Sequence, residues 1–161
     1  MWFKSLIFLI ISVIFSVNVS AATLSERTFK KLTQIHNLMS EDKYDEALVL
    51  LDKLLPKAKR VKYEYATVMQ TYGFVYASKD QFAKAVDAFK VALKTDALPD
   101  IVQQPMRYNI AQLLAVIPDY KGAAEAYSIW FKKAVKPSAD SFVFAATIYA
   151  QLKILLKLLQ I

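Results

Sequence analysis

Residues 69–89 read MQTYGFVYASKDQFAKAVDAF. Two apolar stripes meet there across a polar break. Before the break, Met69, Tyr72, Gly73 and Tyr76 recur at spacings of three and four. After it, Phe82, Ala85, Val86, Phe89 and then Leu93 do the same. That period puts each set on one face of an α-helix. Ser78-Lys79-Asp80-Gln81 supplies the turn between them. Ala85 is small enough to let the two helices approach closely. The stretch predicts a helical hairpin.

The hairpin recurs along the chain. Tyr44, Phe82 and Tyr120 lie 38 residues apart. The same spacing relates Ala47, Ala85 and Ala123, and also Leu51, Phe89 and Tyr127. It relates Leu38, Tyr76 and Leu114, and Ile35, Gly73 and Ala111. Polar turns recur with it, at 40–43, 78–81 and 117–119. One supersecondary unit repeated at a fixed period marks a stacked-repeat solenoid. The sequence therefore predicts an all-α fold after residue 22. Three helix pairs cover about residues 28–61, 62–99 and 100–137, and a partial fourth unit covers 138–161. Composition agrees, since 56% of the 161 residues are hydrophobic and only two are Gly.

The repeated unit resembles the tetratricopeptide repeat (TPR), whose pattern is W-x2-L-G-x2-Y, then Ala, then Phe four residues later. The second copy gives Met69-x-x-Tyr72-Gly73-x-x-Tyr76, then Ala85-x-x-x-Phe89. The third gives Arg107-x-x-Ile110-Ala111-x-x-Leu114, then Ala123-x-x-x-Tyr127. The first keeps Ile35, Leu38, Ala47 and Leu51. The resemblance implies an α-solenoid whose first helices line a concave groove for a protein partner or extended peptide. Carried over by position, the groove comprises Thr67, Gln70, Thr71 and Phe74 in copy two. In copy three it comprises Tyr108, Asn109 and Gln112, and in the fourth unit Val143, Phe144 and Thr147. Leu32 and His36 stand where the lysine–asparagine clamp of chaperone-tail TPR domains would be, so that clamp is not reproduced. The period exceeds the usual TPR length by four residues, about one helical turn, placed around Lys57–Lys62 and Ala97–Asp100. Pro56 and Pro99 are expected to mark helix starts. Pro105 is expected near the first turn of its helix or at a kink.

The fourth unit opens at Pro137-Ser138, with Ser138 or Asp140 as its cap. Phe142, Ala145, Ala146 and Tyr149 repeat the first-helix pattern, but no turn follows. Leu152, Leu155, Leu156 and Leu159 form an apolar stripe, and Ile154, Leu158 and Ile161 widen it. Lys153 and Lys157 form a polar one. Terminal repeats usually need a polar outer face. This end is expected to bury against a partner, further chain or a second copy, and Leu152, Leu155, Leu156 and Leu159 are the candidate self-association residues.

Residues 1–22 read MWFKSLIFLIISVIFSVNVSAA. One Lys, a short apolar run and a small-residue end describe an export signal. Cleavage is expected after Ala21 or Ala22, leaving an exported solenoid domain over 23–161. The run is shorter than the roughly 20 apolar residues of a membrane span.

Catalytic chemistry finds little material. The chain has no Cys and one His, His36. That excludes thiolate metal sites, a Cys nucleophile and a multi-histidine centre. Two glycines build neither a P-loop nor a dinucleotide fingerprint. The Glu41, Asp42, Asp45 and Glu46 cluster flanks a helix start, where carboxylates suit the dipole. The net charge is +7, with clusters at Lys57, Lys59, Arg60 and Lys62 and at Lys132, Lys133 and Lys136. These read as solvated junctions, or as an edge for anionic lipid or an acidic partner. The expectation is a non-enzyme without a cofactor or nucleic-acid partner, and with at most peripheral membrane contact.

A narrower resemblance lies in Ser25-Glu26-Arg27-Thr28-Phe29-Lys30-Lys31-Leu32, Lys43-Tyr44-Asp45-Glu46-Ala47, Tyr108-Asn109-Ile110-Ala111-Gln112-Leu113 and Trp130-Phe131. Their order is similar to small exported TPR proteins encoded beside the TonB–ExbB–ExbD energy-transduction genes of Gram-negative bacteria. It implies a periplasmic scaffold that binds a component of that machine. The alternatives are an envelope or outer-membrane assembly scaffold and a self-associating structural protein.

Overall fold

The computed structural model describes residues 23–159, and side chains through Leu158. The expected signal segment, residues 1–22, lies outside the described residues, as do Ile161 and the side chain of Leu159. Among the described residues seven helices follow one another: α1 (Glu26–Ser40), α2 (Tyr44–Ala58), α3 (Lys62–Ser78), α4 (Phe82–Lys94), α5 (Asp100–Val116), α6 (Tyr120–Phe131) and α7 (Ala139–Leu159). The described residues contain no strand. Each helix packs on the next, and α1 also reaches α3. This is an all-α helical repeat stacked from neighbouring pairs.

The 38-residue period is visible in the helix ends. Tyr44, Phe82 and Tyr120 begin α2, α4 and α6, and Ser40, Ser78 and Val116 end α1, α3 and α5. Asp42 and Asp80 occupy the same turn position with φ of 58° and 57°. Asp tolerates that left-handed conformation better than most residues. In the third turn the Asp119 carboxylate accepts the Gly122 N–H at 2.9 Å, a side-chain cap for α6.

The repeated columns are the core. Ala47, Ala85 and Ala123 are fully buried, and Leu51, Phe89 and Tyr127 lie beside them. Ile35 and Ala111 are fully buried as well. At Gly73, the corresponding residue, α3 meets α4 so closely that a Cβ would fall 2.3 Å from the Phe89 ring. One half of the core joins α1 to α4 around Leu32, Leu51, Val68 and Tyr72. The other joins α3 to α7 around Phe89, Met106, Ile110 and Ile148. Met69 packs against both.

The start of the described chain is held by a buried carboxylate. Glu64 on α3 accepts the Ser25 N–H at 2.7 Å and the Thr28 hydroxyl at 2.9 Å. Ser25 also caps α1 through the Thr28 N–H. Burial alone would raise the Glu64 pKa, but the Ser25 and Thr28 hydrogen bonds outweigh it and hold the carboxyl below its usual range.

One proline expectation is corrected. Pro56 does not start a helix, because it sits inside the last turns of α2. Leu54 and Ala58 are both buried, so continuing the helix past Pro56 keeps two core residues in place. Pro105 is the sixth residue of α5, just past its first turn. Pro99 does mark a start, as the residue before α5. The longer period appears as 17-residue first helices, α3 and α5, beside second helices of 13 and 12 residues.

Candidate functional site

The face of α5 carries a concavity. Ile101, Gln104, Pro105, Tyr108 and Gln112 recur at spacings of three and four, which places them along one side of the helix. At its N-terminal end this side borders a cavity of about 960 Å³. Trp130 of α6, the α6–α7 turn from Lys133 to Val135, and Ser138 and Ser141 complete the wall. Ile101 and Val135 stand at its rim, 83% and 88% exposed. Gln104 lines the cavity, and its Oε1 is buried without a hydrogen-bond partner. Lys133 and Asp100 face each other across the rim at 3.9 Å.

At the other end of α5 the face reaches α3. Phe74, Ala77, Phe89, Asn109, Gln112 and Leu113 line a depression of about 100 Å³ there. Three groove positions expected from the sequence, Phe74, Asn109 and Gln112, are thus brought together. Phe74 is partly exposed, and its ring meets Phe89 at a steep angle, 5.1 Å between centroids.

The other expected positions divide. Thr67 and Gln70 are half-buried on α3. Thr71 is not a groove residue. It is buried and its hydroxyl donates to the Thr67 carbonyl at 2.9 Å. Tyr108 contributes to the cavity wall, but its ring mainly packs. It lies 4.6 Å from Trp130, 5.6 Å from Phe144 and 6.5 Å from Tyr127. Burial, with Tyr127 and Asp140 nearby, raises its pKa. Phe144 belongs to the same aromatic cluster, whereas Val143 and Thr147 are exposed on α7. The Thr147 hydroxyl is turned back onto the Val143 carbonyl at 2.9 Å.

The helix α7 forms a second surface. Ser138 caps it by accepting the Ser141 N–H at 3.3 Å. Ser141, Phe144, Ala145, Ile148 and Leu152 face the pairs before it, and of these Ser141 and Ile148 are buried. Leu152 is only half-buried, and Leu155 and Leu156 are exposed.

The acidic cluster is engaged in surface contacts. Asp45 pairs with Lys79 at 2.8 Å, Glu41 with Lys43 at 2.6 Å, and Asp42 accepts the Tyr44 hydroxyl at 2.6 Å. His36 is exposed on α1, and the described residues hold no cluster of His, Cys, Asp and Glu suited to a metal ion. The cavity beside Trp130, and the orphaned Gln104 oxygen, carried no signal in sequence beyond apolar residues at Ile101 and Val135. No protein-family model matches the chain, and no curated protein matches it.

Proposed function

We propose that the chain is an exported, non-catalytic TPR scaffold that binds an extended apolar segment of a partner protein along α5. The observation that carries this reading is the single α5 face running from the cavity beside Trp130 to the depression beside Phe74. Ile101 and Gln112 are eleven residues apart, about 16 Å along a helix. That length fits about five residues of extended peptide. Apolar rims would take its side chains, while Gln104, Asn109 and Gln112 offer amides to its backbone. The first-helix character of α3, α5 and α7 and the repeat columns support the TPR assignment. The apolar stretch before Thr23 supports export to the periplasm. The narrower resemblance supports a TonB-system component as the partner.

The test is a binding titration with the periplasmic segments of TonB and ExbD. The expected result is saturable binding that weakens at least tenfold in Ile101→Asp/Gln112→Ala, with unchanged circular dichroism. Equal binding by that variant would remove the α5 site. Binding of neither segment would remove the TonB assignment.

A further inference from the structure

We infer that α7 docks on an anionic lipid surface, lying along it rather than crossing it. Residues Ala139–Leu158 have a mean hydropathy of 1.4, and only 11% of the apolar window is buried. An apolar surface of this extent on an otherwise folded domain marks an interaction site. The inner side of α7 is occupied by its packing through Phe144, Ile148 and Leu152. Val143, Thr147, Ala150, Ile154 and Leu158 recur along a different side, and all five are exposed. Phe142 lies beside this surface and meets Phe131 of α6 edge-on at 5.8 Å, which extends the apolar area toward the α6–α7 turn.

Charge selects the occupant. Lys132, Lys133 and Lys136 precede α7, and Lys153 and Lys157 lie in its last two turns, all exposed. Asp140 is the only acidic residue of the helix. A second copy would set lysines against lysines in either direction. Parallel α7 helices would align Lys153 and Lys157 with themselves. Antiparallel ones would bring them to the cluster at 132–136. Phosphate headgroups complement both ends at once, and lysine stems snorkel from an apolar face to that level. Packing on α6 keeps the helix axis beside the folded domain, which favours an interfacial position over a span.

The chain has no native cysteine, so one introduced at Thr147 can carry an environment-sensitive fluorophore. This local readout separates α7 from any membrane affinity of residues 1–22. The full-length chain is titrated with vesicles of 30% phosphatidylglycerol in phosphatidylcholine, and with phosphatidylcholine alone. The expected result is a blue-shifted, brighter emission on the anionic vesicles, lost in high salt. Lys153→Gln and Lys157→Gln should each weaken partitioning about fivefold, at about 1 kcal/mol per lysine. Both substitutions are at exposed positions and leave the fold intact. Unchanged emission on vesicles would overturn the inference. So would equal partitioning onto uncharged vesicles. A spectral change that follows protein concentration without lipid would instead identify a second copy as the occupant, and would overturn it too.

Discussion

Substituting Gly73→Ala tests how the helix pairs are joined. The added Cβ would fall 2.3 and 2.4 Å from two ring carbons of Phe89, against 3.4 Å for an ordinary contact. The ring must therefore retreat by about 1 Å. Phe89 is 1% exposed and braced edge-on by Phe74, so it has little room. Forcing a methyl into such a site costs about 1–3 kcal/mol. Replacing Gly inside a helix returns about 0.8–1 kcal/mol of propensity. The net loss is then about 1 kcal/mol, or about 3–5 °C in Tm for a chain of this size. Thermal unfolding followed by circular dichroism measures it. In a Phe89→Leu background the clash is relieved, and Gly73→Ala should stabilise by about 0.5–1 kcal/mol. If Gly73→Ala raises Tm in the wild-type background, helix propensity alone governs the site and the close-approach reasoning fails.

The Glu64 carboxylate makes stability depend on acid. Its folded pKa is depressed, so its contribution is present above the unfolded value of about 4.3 and is lost as pH falls through the folded value. Urea unfolding of Glu64→Gln should show a loss of about 1.5–3 kcal/mol at neutral pH and a flatter acid limb than wild type. Tyr108→Ala should cost about 2–3 kcal/mol by removing ring packing against Trp130 and Phe144, whereas Tyr108→Phe should be within about 0.5 kcal/mol of wild type. Chemical denaturation of the two variants checks this pair. Ser138→Ala should cost about 1 kcal/mol and speed amide exchange in the first turn of α7 more than in α5.

The periodic parts of this fold were legible because repetition multiplies a weak signal. One Ala before one aromatic says little, but Ala47, Ala85 and Ala123 in register predict three buried helix contacts, and all three are fully buried. The turns were legible for the same reason. Pro56 was misread because local helix-start chemistry favours proline, while the outcome was decided by burial of Leu54 and Ala58. Thr71 was misread because transferring groove positions by spacing ignores side-chain burial. Tyr108 does line the cavity, but spacing alone did not show that its ring also packs on three aromatic rings of other helices. The cavity beside Trp130 arises where α5, α6 and the α6–α7 turn converge. No window of sequence contains those residues together, so periodicity had no means to reveal it.

The central claim is that the α5 face holds an extended segment of a partner protein. Photo-crosslinking in the exporting cell tests it most directly, with the reactive side chain placed at Ile101, Gln112 or, as a control, Glu125 on α6. The account expects one heteromeric adduct from both α5 positions and none from Glu125. Adducts from Glu125 as strong as those from Ile101 and Gln112, or no adduct from α5 at all, would contradict it.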